Sequence, residues 1–174
     1  MIHNPKFIQF VILFVCSGNS CRSPMAEGLL KKKLHPKFGG LVHIHSAGIL
    51  GIDGNPPTIN TIKAAGEKDI DISNHISKGI TRAHIDQADV VLVMEQYHKE
   101  YLDTLHPISR EKVFLLKTFF KSNYSEGETD IEDPIGRDYE FYKQTIETID
   151  QELDRILPEL EFLIQGKLKD ASFY

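Results

Sequence analysis

The chain has 174 residues, of which 41% are hydrophobic and 26% charged, and this ordinary globular usage excludes a disordered or fibrous protein. The formal net charge is −5 at pH 7, so the basic field that nucleic-acid binding needs is absent and no nucleic-acid partner is expected. Two cysteines are too few for a secreted disulfide framework and suit the reducing cytoplasm. The length predicts a single domain over residues 1–174, with residues 166–174 as a frayed tail.

A nearly continuous apolar run occupies residues 7–15. Its flanks do not match a signal peptide, because only Lys6 supplies basic charge before it and large side chains precede Cys16. The run is also far shorter than the roughly 20 residues of a membrane helix. We interpret residues 8–15 as a strand buried on both faces of a parallel sheet, and we expect a cytoplasmic protein without a membrane partner.

Strand and helix patterns alternate along the rest of the chain. Helices are predicted over residues 23–34, 58–68, 83–87, 95–105 and 138–165. Further strands are predicted over residues 42–46, 90–94 and 113–116, and a long loop over residues 121–137. The final helix is expected to be kinked or capped near Pro158. This alternation predicts a three-layer α/β fold, in which a four-stranded parallel sheet carries helices on both faces.

The segment from Cys16 to Ser23 joins the first strand directly to the next helix. Ligands of such sheets bind at the carboxyl ends of the strands. Backbone N–H groups in the loop can turn inward as an anion nest, and the helix dipole adds positive potential there. Gly18 and Asn19 tolerate the left-handed backbone that a tight cradle requires. The residues expected to surround a phosphate-sized anion are Cys16, Ser17, Gly18, Asn19, Ser20, Cys21 and Arg22.

Cys16 opens this loop and Arg22 closes it. The field that attracts phosphate is expected to lower the pKa of Cys16, and a thiolate can attack phosphorus to form a phosphocysteine. Arg22 can bind two phosphoryl oxygens at once. Ser23 can donate its hydroxyl to the thiolate, cap the helix, or do both. The pattern therefore indicates a cysteine-dependent phosphatase.

Other chemistries fit the sequence less well. The Gly-Lys-Ser/Thr of a nucleotide-binding loop is absent, and Cys16 and Cys21 are too far apart for a thioredoxin-type pair. His43 and His45 lie on one face of a predicted strand, but strand histidines without carboxylate or cysteine partners are more often structural. We therefore expect no metal and no cofactor.

The loop reads Cys-x-Gly-Asn-x-Cys-Arg-Ser from Cys16 to Ser23, and Asp133-Pro134 follows downstream. In these motifs, and over nearly its whole length, the chain resembles the low-molecular-weight protein tyrosine phosphatases. The resemblance implies a metal-free two-step reaction on phosphorylated protein substrates. It assigns Cys16 as the nucleophile, Arg22 as the phosphate clamp and Asp133 as the general acid.

A general acid has to protonate the leaving group, and a loop carboxyl can do so. Pro134 restricts Asp133 to extended geometry and so helps to aim it. In the second step Asp133 is expected to act as the base for the attacking water. Asp130 and Glu132 are neighbouring carboxylates that can substitute for it.

The resemblance also assigns supporting roles. Asn19 is expected to hold the loop in shape through hydrogen bonds, with Ser46 and His75 as partners beside Ser23. Cys21 corresponds to the second cysteine of the family loop. It is either a packed thiol or the partner of Cys16 in a reversible disulfide that protects the nucleophile from overoxidation.

The residues expected to line the substrate pocket are Ser20, Ile49 and Ile135. In typical tyrosine phosphatases of the family, bulkier aliphatic or aromatic residues stand at these places, and a phosphotyrosine ring prefers aromatic walls. The bacterial protein-arginine phosphatases carry a small hydroxyl residue, threonine, where Ser20 stands, and share the run from Tyr142 to Thr145. Phosphotyrosine is the first hypothesis for the substrate, and phosphoarginine is the alternative.

Two further hypotheses belong to other classes. An arsenate reductase of the same fold needs additional cysteines to relay a disulfide, and the chain has only Cys16 and Cys21. A phosphate-binding module without catalysis does not need the nucleophile or the acid, whereas this chain retains Cys16, Arg22 and Asp133.

Overall fold

The computed structural model describes residues 9–125 and 127–170. The strands are β1 (Phe10–Cys16), β2 (Val42–Gly48), β3 (Val90–Val93) and β4 (Val113–Leu115). The α-helices are α1 (Arg22–Phe38), α2 (Ile59–Glu67), α3 (Arg82–Gln87), α4 (Gln96–Leu105) and α5 (Tyr139–Asp170), and 3-10 helices cover Gly39–Leu41 and Pro107–Lys112. All strand pairs are parallel and the order is β2-β1-β3-β4, so the predicted four-stranded parallel sheet is confirmed.

The side chains of the central strand β1 point alternately to the two faces of the sheet, and each face is covered by helices. Phe10, Ile12 and Phe14 belong to a core shared with α1, α2 and α5 on one face of the sheet. Leu13 and Val15 belong to a second core with α3 and α4 on the other face. Each fully buried side chain of this size contributes about 1.5–3 kcal/mol. Burial on both faces explains why the sequence of β1 is almost wholly apolar.

Most observed helix and strand boundaries lie within two residues of the predicted ones, and the end of α1 is an exception. Helix α1 continues past Pro36 to Phe38 and ends at Gly39, whose φ is 51°. The helix keeps its last turn because the side chains of Leu34 and Phe38 are buried in the core on that face of the sheet. Strand β1 begins at Phe10, and Ile8, the first residue of the predicted strand, lies outside the described residues.

Helix α5 is longer than predicted, and the prediction of a frayed tail is wrong for residues 166–170. The helix runs through Pro158 and Gly166 to Asp170. Ile164 is fully buried in its last turns, and Lys167 Nζ contacts both carboxylate oxygens of Asp89 at 2.7 Å. Tertiary contacts therefore outweigh the weak helix propensity of Gly166. Residues 171–174 lie outside the described part of the chain. Among the described helices, none combines the length and the apolar character needed to cross a bilayer.

The carboxyl ends of three strands meet at one edge of the sheet. Cys16 ends β1 and pairs with Gly48 at the end of β2, and Met94 and Glu95 follow β3 on the other side of β1. The loop between β1 and α1 therefore lies between the segments that follow β2 and β3.

Candidate active site

The loop from Cys16 to Ser23 leads from β1 into α1 without further secondary structure. Asn19 adopts the left-handed conformation, with φ of 54°, whereas Gly18 does not. Gly48 allows β2 to approach the loop, because a Cβ there would lie 2.7 Å from the Ser17 carbonyl oxygen and 2.9 Å from Asn19 N. At Gly48 the site therefore depends on the absence of a side chain and not on a left-handed backbone.

Cys16 is buried at the start of the loop, and its Sγ lies 2.9 Å from Ser23 Oγ. Burial raises the pKa of the Cys16 thiol above its ordinary value, against the lowering caused by Arg22 and by hydrogen bonds from Ser23 and Asn19. The expectation of a lowered pKa is therefore wrong for this conformation. The physical reason is the desolvation of the buried thiol, which outweighs the attraction of Arg22.

Arg22 is almost fully buried and is held by two carboxylates. Nη1 donates to Glu95 Oε2 at 2.6 Å, and Nη2 donates to Asp133 Oδ2 at 2.5 Å. Burial tends to lower the pKa of Arg22, but Cys16, Asp133 and Glu95 outweigh it and raise that pKa. Arg22 still lowers the pKa of Cys16, but the two carboxylates on its guanidinium reduce the positive charge available to the thiolate.

The remaining contacts of Arg22 fix its plane. Nη1 also donates to the carbonyl of Ile131 at 2.8 Å, and Nη2 donates to Ser17 Oγ at 3.0 Å. Nε is buried and has no hydrogen-bond partner among the described residues. One N–H of the guanidinium is therefore uncommitted beside the loop, and a phosphoryl oxygen is a suitable acceptor for it.

Asn19 lies at the centre of the bracing network, and it is fully buried. Its Nδ2 donates to Ser23 Oγ and to Ser46 Oγ, each at 2.9 Å, and its Oδ1 accepts from Lys78 N at 3.0 Å. His75 Nε2 donates to the carbonyl of Asn19 at 2.9 Å. The structure thus brings together the four residues that the sequence grouped as loop support.

Glu27 and Lys78 extend this network beyond the predicted residues. Ser46 donates its hydroxyl hydrogen to Glu27 Oε2 at 2.6 Å, and Lys78 supplies only its backbone N–H. Glu27 lies in α1, four residues after Ser23, and the motif from Cys16 to Ser23 does not include it.

Ser17 connects the loop to α4 through contacts that sequence reasoning missed. His98 is fully buried, its Nδ1 accepts from Glu95 N at 3.1 Å, and its Nε2 therefore donates to Ser17 Oγ at 3.0 Å. Tyr97 also places its hydroxyl against Ser17 Oγ. Burial, followed by the charge of Arg22, lowers the pKa of His98 to about 3, so its ring is neutral.

Asp133 lies at the guanidinium of Arg22 with one third of its side chain exposed. Its Oδ1 accepts from Ile135 N at 3.1 Å, which folds the carboxylate back over the residue after Pro134. Glu132 points away, with 73% of its side chain exposed and Arg137 at 3.6 Å. Of the two, only Asp133 reaches the loop.

The remaining predicted residues lie around this centre. Cys21 is a buried free thiol like Cys16, and its Sγ lies 3.7 Å from Thr58 Oγ1. Ser20 is half-buried, with its hydroxyl 3.8 Å from Cys21 Sγ. Ile49 is half-buried and donates its N–H to the Cys16 carbonyl at 3.0 Å, whereas Ile135 is 53% exposed.

The histidines considered as metal ligands lie away from this centre on β2. The rings of His43 and His45 are 5.0 Å apart, and His84 of α3 is 6.1 Å from His45. Across residues 9–125 and 127–170, no three His, Cys, Asp or Glu side chains are grouped so as to hold a metal ion.

Comparisons with known proteins agree with this geometry. The family model described as low molecular weight phosphotyrosine protein phosphatase matches residues 11–165. A protein-arginine-phosphatase of Bacillus subtilis is 35% identical over 150 residues, which are 86% of this chain and 96% of the relative. The low molecular weight protein-tyrosine-phosphatase Wzb of Escherichia coli is 33% identical over 131 residues, which are 75% of this chain and 82% of the relative.

A solved structure extends the agreement to three dimensions. The YwlE arginine phosphatase from Geobacillus stearothermophilus matches with a TM-score of 0.79 at 33% identity, covering 90% of this chain and 96% of that one. The fold and the sequence therefore define a cysteine-dependent phosphatase. The chain belongs to the low molecular weight protein tyrosine phosphatase family, as its loop motif predicted.

Proposed function

We propose that this chain removes phosphate from phosphorylated protein side chains through a phosphocysteine on Cys16. The observation that carries the proposal is the grouping of Cys16, Ser23, Arg22 and Asp133 where a buried strand meets a helix N-terminus. A nucleophile, a hydroxyl donor, a clamp and a proton donor are the groups that a two-step displacement at phosphorus needs.

In the first step the Cys16 thiolate attacks phosphorus, a P–S bond forms, and the bond from phosphorus to the leaving oxygen or nitrogen breaks. Asp133, in its protonated form, gives its proton to the leaving atom. Arg22 binds two phosphoryl oxygens, for which its uncommitted Nε supports the assignment. The backbone N–H groups of the loop and the start of α1 stabilise the remaining negative charge.

In the second step water attacks the phosphocysteine. Asp133, now a carboxylate, takes one proton from that water as the new P–O bond forms. The P–S bond breaks and the electron pair returns to Cys16. The contact of 2.9 Å to Ser23 Oγ supports a hydrogen bond to the departing thiolate. Inorganic phosphate then leaves the loop, and the enzyme returns to its starting state.

We assign phosphotyrosine as the first substrate class, because the family model that matches residues 11–165 is described by that activity. Phosphoarginine is the second candidate, and one observation favours it. Ser20 has a small half-buried hydroxyl at a position expected to line the pocket, where a bulky aliphatic side chain would give a phenyl ring an apolar wall. The Bacillus subtilis relative is itself named a protein-arginine-phosphatase.

Hydrolysis of a phosphotyrosine peptide and a phosphoarginine peptide of otherwise identical sequence tests the assignment. Cys16→Ser is the control, and it should abolish turnover of both peptides. Faster phosphotyrosine turnover supports the first assignment, and faster phosphoarginine turnover replaces it with the second. Ser20→Ile should shift the ratio of kcat/KM values towards phosphotyrosine, since it adds apolar surface for the ring. Undiminished turnover in Cys16→Ser would refute the phosphocysteine mechanism.

A further inference from the structure

The loop that carries Asp133 is fastened to the first turn of α4. Ile131 N donates to the Met94 carbonyl at 2.8 Å, which joins the loop to the end of β3. Two residues further along, Gln96 N donates to the carboxylate of Asp130 at 2.9 Å. The loop is therefore held by one backbone contact and one side-chain contact on adjacent residues.

The position of the Asp130 carboxylate suits its electrostatic surroundings. Gln96 is the first residue of α4, so its N–H has no carbonyl partner within the helix. A carboxylate at this end also meets the positive pole of the helix dipole. Thr129 Oγ1 donates to the same Oδ1 at 3.1 Å, and Lys117 Nζ donates to the Asp130 carbonyl at 3.3 Å. Three donors, from Gln96, Thr129 and Lys117, thus contact one residue of the loop.

The constraint reaches Asp133 through a short path. Ile131 is buried and its carbonyl accepts from Arg22 Nη1 at 2.8 Å, while Arg22 Nη2 donates to Asp133. Glu132, which follows Ile131, is mostly exposed and pairs with Arg137 at 3.6 Å. Anchoring at Asp130 and Ile131 therefore sets where the backbone of Asp133 stands relative to Arg22.

We propose that Asp130 is a positioning residue. Its carboxylate holds the loop that carries Asp133 against α4, so that Asp133 meets the leaving group in a fixed geometry. The inference rests on the proposed function, in which Asp133 protonates the leaving atom. It also replaces the hypothesis that Asp130 is a substitute acid, because its Oδ1 is already occupied by two donors. The reacting groups remain Cys16, Arg22 and Asp133.

The leaving-group dependence of kcat/KM tests this role. Phenyl phosphate needs a proton on its leaving oxygen more than 4-nitrophenyl phosphate does, so it depends more strongly on an aimed acid. Asp130→Ala should lower kcat/KM for phenyl phosphate about tenfold more than for 4-nitrophenyl phosphate, because a displaced acid loses much of its effect. Asp130→Asn retains an acceptor oxygen and should recover most of this selective loss.

A second pair of variants removes the same contact from its other end. Gln96→Pro deletes the N–H donor, and proline is tolerated at the first helical position after an extended residue such as Glu95. Gln96→Ala loses the side chain but keeps the N–H. Gln96→Pro should reproduce the selective loss of Asp130→Ala and Gln96→Ala should not. This comparison does not depend on whether Asp130→Ala folds.

Several results would overturn the positioning role. One is an equal loss of kcat/KM for both esters in Asp130→Ala. Another is a selective loss in Gln96→Ala as large as that in Gln96→Pro. A third is full additivity of the two losses in the double variant Asp130→Ala/Gln96→Pro. Glu132→Ala removes an exposed carboxylate from the same loop and should match the unaltered chain. Absence of Cys16-dependent turnover in the unaltered chain is a different failure, since it would refute the proposed function itself.

Discussion

Arg22 Nη2 donates to Asp133 Oδ2 across 2.5 Å, so the expected phosphate clamp and the expected proton donor are paired with each other. Glu95 binds the other terminal nitrogen of the same guanidinium at 2.6 Å. A bound phosphoryl group needs the donors that Asp133 now occupies. The clamp and the acid therefore have to exchange partners during the reaction, and the charge felt by Cys16 changes with them.

Asp133→Asn should lower the pKa of Cys16. The amide keeps the size of the side chain but removes one of the two negative charges that offset Arg22, so the thiolate gains stability relative to the thiol. The measurement is the rate of alkylation by iodoacetamide against pH, in a Cys21→Ala background that leaves one thiol. Glu132→Gln removes an exposed carboxylate and should leave the curve in place. A curve that moves to higher pH in Asp133→Asn would contradict the electrostatic account.

The free energy of unfolding should fall as the pH drops below about 6.5, the ordinary pKa of histidine. The unfolded chain then takes up a proton on His98, whereas the folded chain does so only near its pKa of about 3, so acid favours unfolding. This one group should remove about 2 kcal/mol between about pH 7 and about pH 5. Urea unfolding at the two pH values measures it.

His98→Gln should reduce this pH dependence without abolishing it. His45 contributes in the same direction, because burial, then His43, Lys78 and His84, lower its pKa to about 4. His35→Gln changes an exposed histidine and should leave the dependence as it is. An unchanged slope in His98→Gln would show that His98 does not titrate differently in the two states.

Gly48→Ala should cost about 1–3 kcal/mol of stability and also slow turnover. The new Cβ would lie less than 3.0 Å from backbone atoms of Ser17 and Asn19, so β2 and the loop from Cys16 to Ser23 have to separate. Gly66→Ala is the matched control, since nothing lies within 4 Å of a Cβ there in α2. It should stabilise the chain by about 1 kcal/mol. Equal effects of the two substitutions would remove the argument from close approach.

Cys21→Ala should convert reversible inactivation by peroxide into irreversible inactivation. Cys16 and Cys21 are free buried thiols on one short loop, and a disulfide between them would protect Cys16 from further oxidation. Activity before and after treatment with dithiothreitol, for the unaltered chain and the variant, measures this. Full recovery in both would leave Cys21 as a packed thiol.

The sequence was sufficient to predict the features that depend on residues close together in the chain. The apolar run before Cys16 predicted β1, and the helical pattern from residue 23 predicted α1, since each signal lies within the element that it specifies. The same holds for the order of strands and helices. The parallel sheet then follows from the helical crossovers between successive strands.

The sequence was insufficient where partners come from distant segments. Glu95, His98 and Tyr97 carry no motif of their own, and they reach the loop only because β3 lies next to β1. The pKa of Cys16 was predicted in the wrong direction because its burial, the largest influence on that pKa, depends on the packing of distant segments around the loop. Helix α5 was predicted too short, since the contact of Lys167 with Asp89 has no local signal.

The guanidinium of Arg22 reaches its acceptors at Ile131 and Asp133 across 109 and 111 positions of the chain. A nascent polypeptide that has passed residue 22 but not residue 133 therefore cannot bury this charge with its proper partners. Contacts of such separation form slowly, because a long segment must be ordered before they are made. The loop from Cys16 to Ser23 is synthesised before the segment that completes it, and phosphatase activity should appear during refolding only after the final third of the chain has docked.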